Sequence, residues 1–334
     1  MNKLRLKDRV YGEVQIEEPV IFDLINSPSL QRLKDIDQAG YRPLWVDPNV
    51  DVGEYDHSRF AHSLGVYLLL KKYKAPLEEQ IAGLIHDVSH SAFSHCIDYV
   101  LGSGLETEQN HQDHIFDNYV KNSEIPSILK KYGIDVQYIL SEKNFPLEEN
   151  KLPDICADRI DYSLRTACIF GEIKDAKYFL DNLIVENQRW IFKNYESARK
   201  YAELFSKMNT KYYTPLLSAV MFQTMGDYLK HSLLKGYISE DDLYTTDKIV
   251  LSKIEPYHQN DKKLKLFFDR MNKRIDFENN PKDFYASILC KSRVIDPLCK
   301  NKETVKRVSK IDKNWAHVVA AESKPKQYFL KFTD

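Results

Sequence analysis

The sequence predicts a mainly α-helical protein with a short N-terminal β-hairpin and a small α+β appendage at the C-terminus. Apolar residues recur at helical spacing through most of the middle of the chain. The whole sequence has only 11 glycines and no low-complexity tract. After residue 280 the pattern changes to short β-prone segments. A chain of 334 residues can bury a large core, so we expect a principal domain, residues 1–275, and the appendage, residues 276–334.

Local patterns predict the elements in chain order. Residues 9–17 alternate enough to form a short hairpin, and residues 19–24 open the first helix with a proline. Helical spacing predicts further helices at 27–39, 58–73, 77–88, 91–101, 111–121, 125–131, 135–141, 153–170, 175–181, 195–235, 239–255 and 260–271. The β-prone segments of the appendage lie at 284–289, 293–295 and 327–332.

Composition narrows the function classes. The 48 basic and 49 acidic residues nearly cancel, so no overall field recruits nucleic acid or a membrane surface. The chain has no run of about 18 apolar residues, and its polar N-terminus lacks the apolar core of a signal peptide, so we expect a cytoplasmic protein. The five cysteines form no Cys-x-x-Cys pair, and we expect reduced thiols.

Seven of the ten histidines lie between residues 57 and 114, which indicates a site in that region. His62, His86, Asp87 and Asp158 offer two imidazoles and two carboxylates from three separate segments. A borderline divalent cation accepts both ligand types, and such a set leaves open positions for water. Apolar residues at helical spacing surround the His86-Asp87 pair. Because neighbouring side chains on a helix diverge by about 100°, His86 and Asp87 reach one ion only if it lies at the edge of that helix face.

Ordered motifs carry a resemblance to a known family. They read SLQRLKDIDQ at 29–38, SRFAHSLGV at 58–66, HDVSH at 86–90 and DRIDY at 158–162. In this order they resemble the HD-domain phosphohydrolases and, among these, the deoxynucleoside triphosphate triphosphohydrolase (dGTPase-like) branch. The resemblance implies an HD-domain helical bundle with the metal site within residues 58–166 and supporting helices over 175–275.

The resemblance also implies roles for single residues. The metal ligands would be His62, His86, Asp87 and Asp158. The catalytic residues, which act in proton transfer and its orientation, would be His90, Asp98 and His111. The substrate-binding residues would be Gln38, Arg59, His95, Arg159 and Tyr162, with the two guanidinium groups on phosphate oxygens. Arg159 stands where the family usually has a lysine, and Gln112 where it usually has a glutamate.

Other positions depart further from the family pattern. Thr166 replaces an aspartate that reads the 3′-hydroxyl, and Met208 and Leu216 align with an arginine and a tyrosine of the family. Four nearby side chains either take over these contacts or are exposed helix residues. These side chains are Lys207, Lys211, Tyr212 and Tyr213.

Several other polar residues are interpreted as structural. Asp161 is expected to pair with Arg165 one helical turn later, and His57 and His114 are expected at the surface. The basic C-terminal residues are expected to form a solvated face; they are Lys300, Lys302, Lys306, Arg307, Lys310 and Lys313.

The predicted activity is metal-dependent hydrolysis of a nucleotide phosphoester by metal-activated water, with a deoxynucleoside triphosphate split into nucleoside and triphosphate. The alternatives are a phosphohydrolase or phosphodiesterase acting on another nucleotide (a monophosphate, an alarmone or a dinucleotide) and a weakly active nucleotide-sensing module. The ligand set suits manganese, iron, zinc, nickel or cobalt, and Mg²⁺ is a further candidate at the substrate phosphates. We expect a homo-oligomer, a dimer or larger, that binds neither membrane nor nucleic acid.

Overall fold

The computed structural model describes residues 4–41, 43, 57–101 and 109–333, and helices dominate this part of the chain, as predicted. The α-helices are α1 (Pro19–Ile25), α2 (Pro28–Arg32), α3 (Arg59–Lys72), α4 (Leu77–Ile85), α5 (His111–Asn122), α6 (Ile125–Lys131), α7 (Val136–Ile139), α8 (Ala157–Ile169), α9 (Lys177–Asn182), α10 (Tyr195–Met208), α11 (Leu216–Leu234), α12 (Asp247–Ile254), α13 (Lys262–Met271), α14 (Val308–Ile311) and α15 (Lys313–Glu322). The strands are β1 (Leu4–Asp8), β2 (Gly12–Ile16), β3 (Leu183–Glu186), β4 (Arg189–Phe192), β5 (Phe277–Asn279), β6 (Ala286–Cys290), β7 (Leu298–Asn301), β8 (Thr304–Arg307) and β9 (Lys326–Phe332).

The described strands form three small sheets. β1 and β2 make an N-terminal hairpin, as predicted, but it begins at Leu4 rather than at residue 9, and Asp8 pairs with Gly12 beside the turn. The second sheet has the order β3-β4-β7-β8, with β4 and β7 parallel, and the third has the order β5-β9-β6. Residues 276–334 supply strands to both of the latter sheets, and the domain boundary before residue 276 stays a prediction.

Helix α3 is the element around which the site is built. Ser58 caps it by accepting a hydrogen bond from the backbone nitrogen of Ala61, and its residues from 61 to 70 are buried. Val66 packs into one apolar cluster with residues of α8, whereas Tyr67 packs into another with residues of α4. Because consecutive residues on all sides of α3 are buried, the helix lies inside the protein and presents its polar side chains to an interior site.

A third apolar cluster joins the C-terminal strands to the helices. Met225 of α11, Leu264 of α13, Ile288 of β6 and Leu330 of β9 belong to it. Strand β6 therefore shares a core with α11, whereas Val294 and Ile295 of the loop that follows it pack into the cluster that contains α10. Over the described ranges, we find no helix that combines the length and the apolar content needed to cross a membrane.

The prediction of one continuous helix over 195–235 is wrong, because the structure has two helices here with a break between them. Helix α10 ends at Met208, a π-helical turn follows at Asn209–Tyr213, and α11 begins after Pro215. Pro215 lacks an amide hydrogen and restricts the residue before it, so the first helix cannot continue through it. Turns of the π type are rare, and many of them lie at functional sites.

Two further differences have local causes. The sequence gives little sign of the β3–β4 hairpin because its two turn residues, Asn187 and Gln188, adopt positive φ without a glycine. Residues Ser94–Tyr99 form a 3₁₀-helix rather than the α-helix predicted over 91–101, following Phe93 at a φ of 60°.

Gly65 sets how closely α8 approaches α3. A Cβ atom at this position would lie 2.1 Å from Asp161 Oδ1 and 2.1 Å from Arg165 Nη2, which belong to a buried ion pair. We predict that Gly65→Ala separates the two helices and lowers the free energy of unfolding by about 3 kcal/mol, measured by urea denaturation. Gly226→Ala in α11 is the control, because its Cβ would meet its nearest neighbour at 3.3 Å. Equal losses in the two variants would contradict the prediction.

Candidate metal centre and active-site cleft

The four predicted metal ligands converge where α3, the end of α4 and the start of α8 meet. His62 projects from α3, His86 and Asp87 follow α4, and Asp158 lies in the first turn of α8. The Nε2 atoms of His62 and His86 lie 3.2 Å apart, and Asp158 Oδ1 lies 2.9 Å from the first and 3.6 Å from the second. Asp87 Oδ1 lies 3.4 Å from His86 Nε2. The described residues therefore include a His/Asp group that could hold a metal ion.

Hydrogen bonds on the far side of each imidazole fix which nitrogen faces the other ligands. His62 Nδ1 donates to Asp161 Oδ2 at 2.8 Å, and His86 Nδ1 donates to the carbonyl oxygen of Gly83 at 2.9 Å. A carbonyl or an ionised carboxylate only accepts, so both Nδ1 atoms carry a proton. The Nε2 atom of each ring therefore faces the other ligands, and a cation that binds there takes the place of any proton on it.

The charges of this group fit a divalent cation. Two nitrogen lone pairs and two carboxylates at these separations repel one another unless positive charge lies among them. Burial lowers the pKa of His86, but Asp87 and Asp158 raise it to about 10. Burial raises the pKa of Asp158, but hydrogen bonds from His62 and His86 hold it well below its usual value. Several transition metals accept this mixture of nitrogen and oxygen ligands, so the geometry does not select one.

Asp161 connects the metal centre to the N-terminal hairpin. The predicted pair with Arg165 is confirmed, since Arg165 donates to both carboxylate oxygens at 3.0 Å. Tyr11 donates its hydroxyl to Asp161 Oδ1 at 2.9 Å, and Arg165 Nη1 lies 3.0 Å from Asp8 Oδ2. The carboxylate that orients His62 is therefore held from the hairpin and from its own helix.

Arg59 lies beside the metal centre and supports one of its ligands. Its Nη1 donates to Asp87 Oδ2 at 2.8 Å, its Nε to Ser94 Oγ at 3.0 Å and its Nη2 to the carbonyl oxygen of Gln38 at 3.2 Å. Only 3% of Arg59 is exposed. These bonds use three of the five guanidinium N–H groups, and the predicted phosphate contact would fall to the other two.

A cleft of about 550 Å³ borders the metal centre. All five predicted substrate-binding residues line it, namely Gln38, Arg59, His95, Arg159 and Tyr162. The Oε1 atom of Gln38 and the hydroxyl of Tyr162 are buried and have no hydrogen-bond partner among the described residues. Arg159, in contrast, already contacts Glu149 Oε1 at 2.9 Å.

His90 is the predicted catalytic residue that lines the cleft. Its Nε2 lies 3.3 Å from Asp87 Oδ1, and its ring meets that of His95 edge to face. Burial, with the nearby charge of Arg59, lowers the pKa of His90 to about 3. This imidazole is therefore neutral near pH 7.

The other two predicted catalytic residues are placed differently. Asp98 Oδ2 lies 3.3 Å from His95 Nδ1, and Asp98 Oδ1 accepts a hydrogen bond from the backbone nitrogen of His111 at 2.9 Å. The ring of His111 lies 2.9 Å from the Tyr244 hydroxyl through its Nε2. Among the described residues that line the cleft, neither Asp98 nor His111 appears. Asp98 thus joins two histidines, and direct access of His111 to substrate stays a prediction.

Thr166, Met208 and Leu216, which depart from the family pattern, and the four nearby side chains named as alternative contacts separate into two groups. Three of them line the cleft: Thr166, Tyr212 and Tyr213. Lys207 and Lys211 both pair with Glu172, so among the described residues the tyrosines supply the new cleft contacts and the lysines do not. Met208 is fully buried in an apolar cluster, and Leu216 packs against another.

Sequence reasoning missed several residues of this site. His57 lines the cleft with 11% of its side chain exposed, although a surface position was expected. Other unpredicted lining residues that carry charge are Asp113, Glu149, Lys151, Lys291 and Arg293. Asp161 follows Asp158 at the i+3 spacing of one helix face, so its sequence position held a usable signal. Lys291 and Arg293, which follow β6, lie far along the chain from every motif, so their sequence positions gave no signal of a site.

The fold and the site together define a class, the metal-dependent phosphohydrolases. A family model described as HD domain matches residues 59–173, the segment that contains all four ligands. The chain is 37% identical over 252 residues to the uncharacterized protein YdhJ of Bacillus subtilis, covering 75% of this chain and 74% of that protein. The chain belongs to the HD-domain phosphohydrolase superfamily.

Other relatives match shorter stretches. The metal-dependent phosphohydrolase cns2 of Cordyceps militaris is 38% identical over 185 residues, 54% of this chain and 51% of that protein. The deoxynucleoside triphosphate triphosphohydrolase SAMHD1 of Mus musculus is 31% identical over 147 residues, 38% of this chain and 21% of that protein. A crystal structure of a phosphohydrolase from Bacteroides thetaiotaomicron shares the fold over the full length of both chains, with a TM-score of 0.74 and 16% identity.

The hydrogen bond between Asp161 and His62 predicts an effect on metal affinity. Asp161→Asn removes the negative charge that accepts the hydrogen bond from His62 Nδ1. That hydrogen bond keeps the proton of His62 on Nδ1 and leaves Nε2 facing the metal site. We expect the affinity for Mn²⁺ to fall about 10- to 100-fold, measured by titration calorimetry. Asp154→Asn is the control, because Asp154 pairs with Arg307 near the surface. Equal Mn²⁺ affinities of Asp161→Asn and the parent protein would remove Asp161 from this role.

Proposed function

We propose that the protein hydrolyses deoxynucleoside triphosphates to nucleoside and triphosphate. The observation that carries the proposal is the composition of the cleft, which combines the candidate metal group with arginines and an aromatic wall. Phe170 and Tyr212 form that wall, with ring centroids 4.6 Å apart and nearly parallel planes. Aromatic faces suit a nucleobase and guanidinium groups suit phosphates. The relation to SAMHD1, whose name states this activity, supports the same substrate class.

The chemistry divides between a cation and the chain's own side chains. When bound by His62, His86, Asp87 and Asp158, a divalent cation would neutralise charge on the phosphoryl oxygens and lower the pKa of a water molecule. Asp161 and Gly83 hold the two imidazoles in the required tautomer, and Arg59 holds Asp87.

The proposed hydrolysis breaks the bond between the α-phosphorus and the 5′-oxygen of the nucleoside. A bond from the water oxygen to phosphorus replaces it, and a proton moves to the departing 5′-oxygen. We assign His90, Asp98 and His111 to this proton transfer and its orientation. His90 borders the cleft, and Asp98 links His95 to the start of α5, where His111 lies.

A second candidate is a phosphohydrolase or phosphodiesterase that acts on another nucleotide. Thr166 and the buried Met208 favour it, since the resemblance expects substrate-reading polar groups at both positions. A weakly active nucleotide-sensing module would use the same cleft. We further propose manganese or a related transition metal as the cofactor, a homodimer as the assembly and the cytoplasm as the location.

Product analysis tests the proposed reaction. We expect the manganese-supplied protein to release nucleoside and inorganic triphosphate from deoxynucleoside triphosphates, in a panel that also holds ribonucleotides, nucleoside monophosphates and dinucleotides. Asp87→Ala should abolish release, because it removes a ligand and leaves Arg59 unpaired. Orthophosphate or pyrophosphate from another panel member would support the second candidate, and saturable nucleotide binding without products would support the sensing module.

Two histidine variants separate metal binding from proton transfer. His86→Ala should lose bound metal and turnover together, because His86 Nε2 faces the other ligands. His111→Ala should keep the metal and lose about 100-fold or more in kcat. Metal content by mass spectrometry and kcat on the best substrate are measured side by side, with His114→Ala on the exposed side of α5 as the control. Turnover of His111→Ala at the parent rate would make its catalytic assignment wrong.

A further inference from the structure

The cleft contains three arginines, and two of them already face carboxylates. Arg59 Nη1 lies 2.8 Å from Asp87, and Arg159 Nη2 lies 2.9 Å from Glu149. A guanidinium paired with a carboxylate has much of its charge compensated, so it attracts a further anion less strongly. The two arginines that the motifs select are therefore not the strongest free positive charge at the site.

Arg293 is the third cleft arginine, and it differs in its partners. Its Nη2 donates to the side-chain oxygen of Gln109 at 3.0 Å, and its Nη1 to the carbonyl oxygen of Lys291 at 3.4 Å. Both acceptors are neutral. Among the ion pairs of the described residues, none joins Arg293 to a carboxylate, in contrast to Arg59 and Arg159.

The backbone of Arg293 is held in place by a buried amide. Asn209 is fully buried, its Oδ1 accepts from the backbone nitrogen of Arg293 at 3.0 Å, and its Nδ2 donates to Ser292 Oγ at 3.1 Å. Asn209 opens the π-helical turn, which also carries the cleft residues Tyr212 and Tyr213. A single turn thus fixes both the aromatic side chains and the arginine.

The charge of Arg293 acts on groups at several points of the cleft. Burial is the main cause that lowers the pKa of His95, and Arg59 and Arg293 add to it. Burial raises the pKa of Tyr162, and Arg293 opposes that rise. Arg293, His95 and Tyr162 also line the same cleft, so the guanidinium shares that space with side chains that the motifs place around the substrate.

We propose that Arg293 binds a phosphate oxygen of the nucleotide and that Asn209 is its positioning residue. The ligand class is a polyphosphate anion, and the binding group comes from the segment after β6. This assignment rests on the proposed function for the identity of the nucleotide, but the anion site can be measured without turnover.

The direct test is binding of inorganic triphosphate to the manganese-loaded protein by titration calorimetry. Arg293→Gln should weaken binding about 10-fold or more, because it removes a charged hydrogen-bond donor. Arg293→Lys should recover part of the loss, since it restores the charge without the planar fork. Arg274→Gln, an exposed arginine of the α13 end, is the matched control and should bind like the parent protein. Metal content should be unchanged in all three variants.

A double-mutant cycle tests the positioning residue. Asn209→Ala should weaken triphosphate binding in the parent protein but add little further loss in the Arg293→Gln background. Additive losses would mean that Asn209 acts through general packing.

The outcomes separate this inference from the proposed function. Equal triphosphate binding by Arg293→Gln and the parent protein, or no binding by the parent, would overturn the anion site. Binding that depends on Arg293 in a protein that hydrolyses no deoxynucleoside triphosphate would retain the anion site and overturn only the proposed substrate.

Discussion

The buried carboxylate of Asp161 is the interaction on which the site depends. It accepts from His62, Arg165 and Tyr11, which belong to α3, α8 and the segment between β1 and β2. A buried ionised group is tolerated only when such partners surround it, and removal of one leaves the others uncompensated. The same carboxylate that lies between α3 and α8 therefore also fixes the orientation of His62, a predicted metal ligand. Gly65 permits the close approach that this contact requires.

The metal centre itself is an unfavourable arrangement without positive charge. Its histidine Nε2 atoms face each other and two carboxylates, while the hydrogen bonds behind the rings prevent them from turning away. Binding of a cation relieves this repulsion, so metal binding and stability of the α3, α4 and α8 arrangement are linked. Arg59 contributes to the same balance, because it compensates Asp87 on the side away from the histidines.

The sequence predicted the helical fold class, because helical periodicity is a local signal. Short ordered motifs also selected four residues that lie close together in the structure, His62, His86, Asp87 and Asp158, and their binding of a metal ion stays a prediction. It did not predict the π-helical turn, since the residues after Met208 continue a helical pattern until Pro215. It also did not predict Arg293, whose position depends on an amide 84 residues earlier in the chain. Contacts of this kind arise from tertiary packing and produce no periodic pattern in the sequence.

The predicted metal ligands come from local motifs, whereas Arg293 reaches the cleft through tertiary packing. This difference explains how the cleft keeps the predicted ligands while its proposed substrate contacts depart from the family pattern. Met208 is buried and brings no charge, yet the next residue, Asn209, holds the backbone of Arg293 at the same cleft. In the proposed anion site, the cation missing from α10 is supplied by a distant segment that is hydrogen-bonded to the turn after that helix. The requirement is positive charge near the phosphates, and the fold satisfies it through any element that reaches the cleft. The proposed role of Arg293 therefore depends on how the segment after β6 packs against α10 and the turn that follows it, a contact that the motifs alone do not contain.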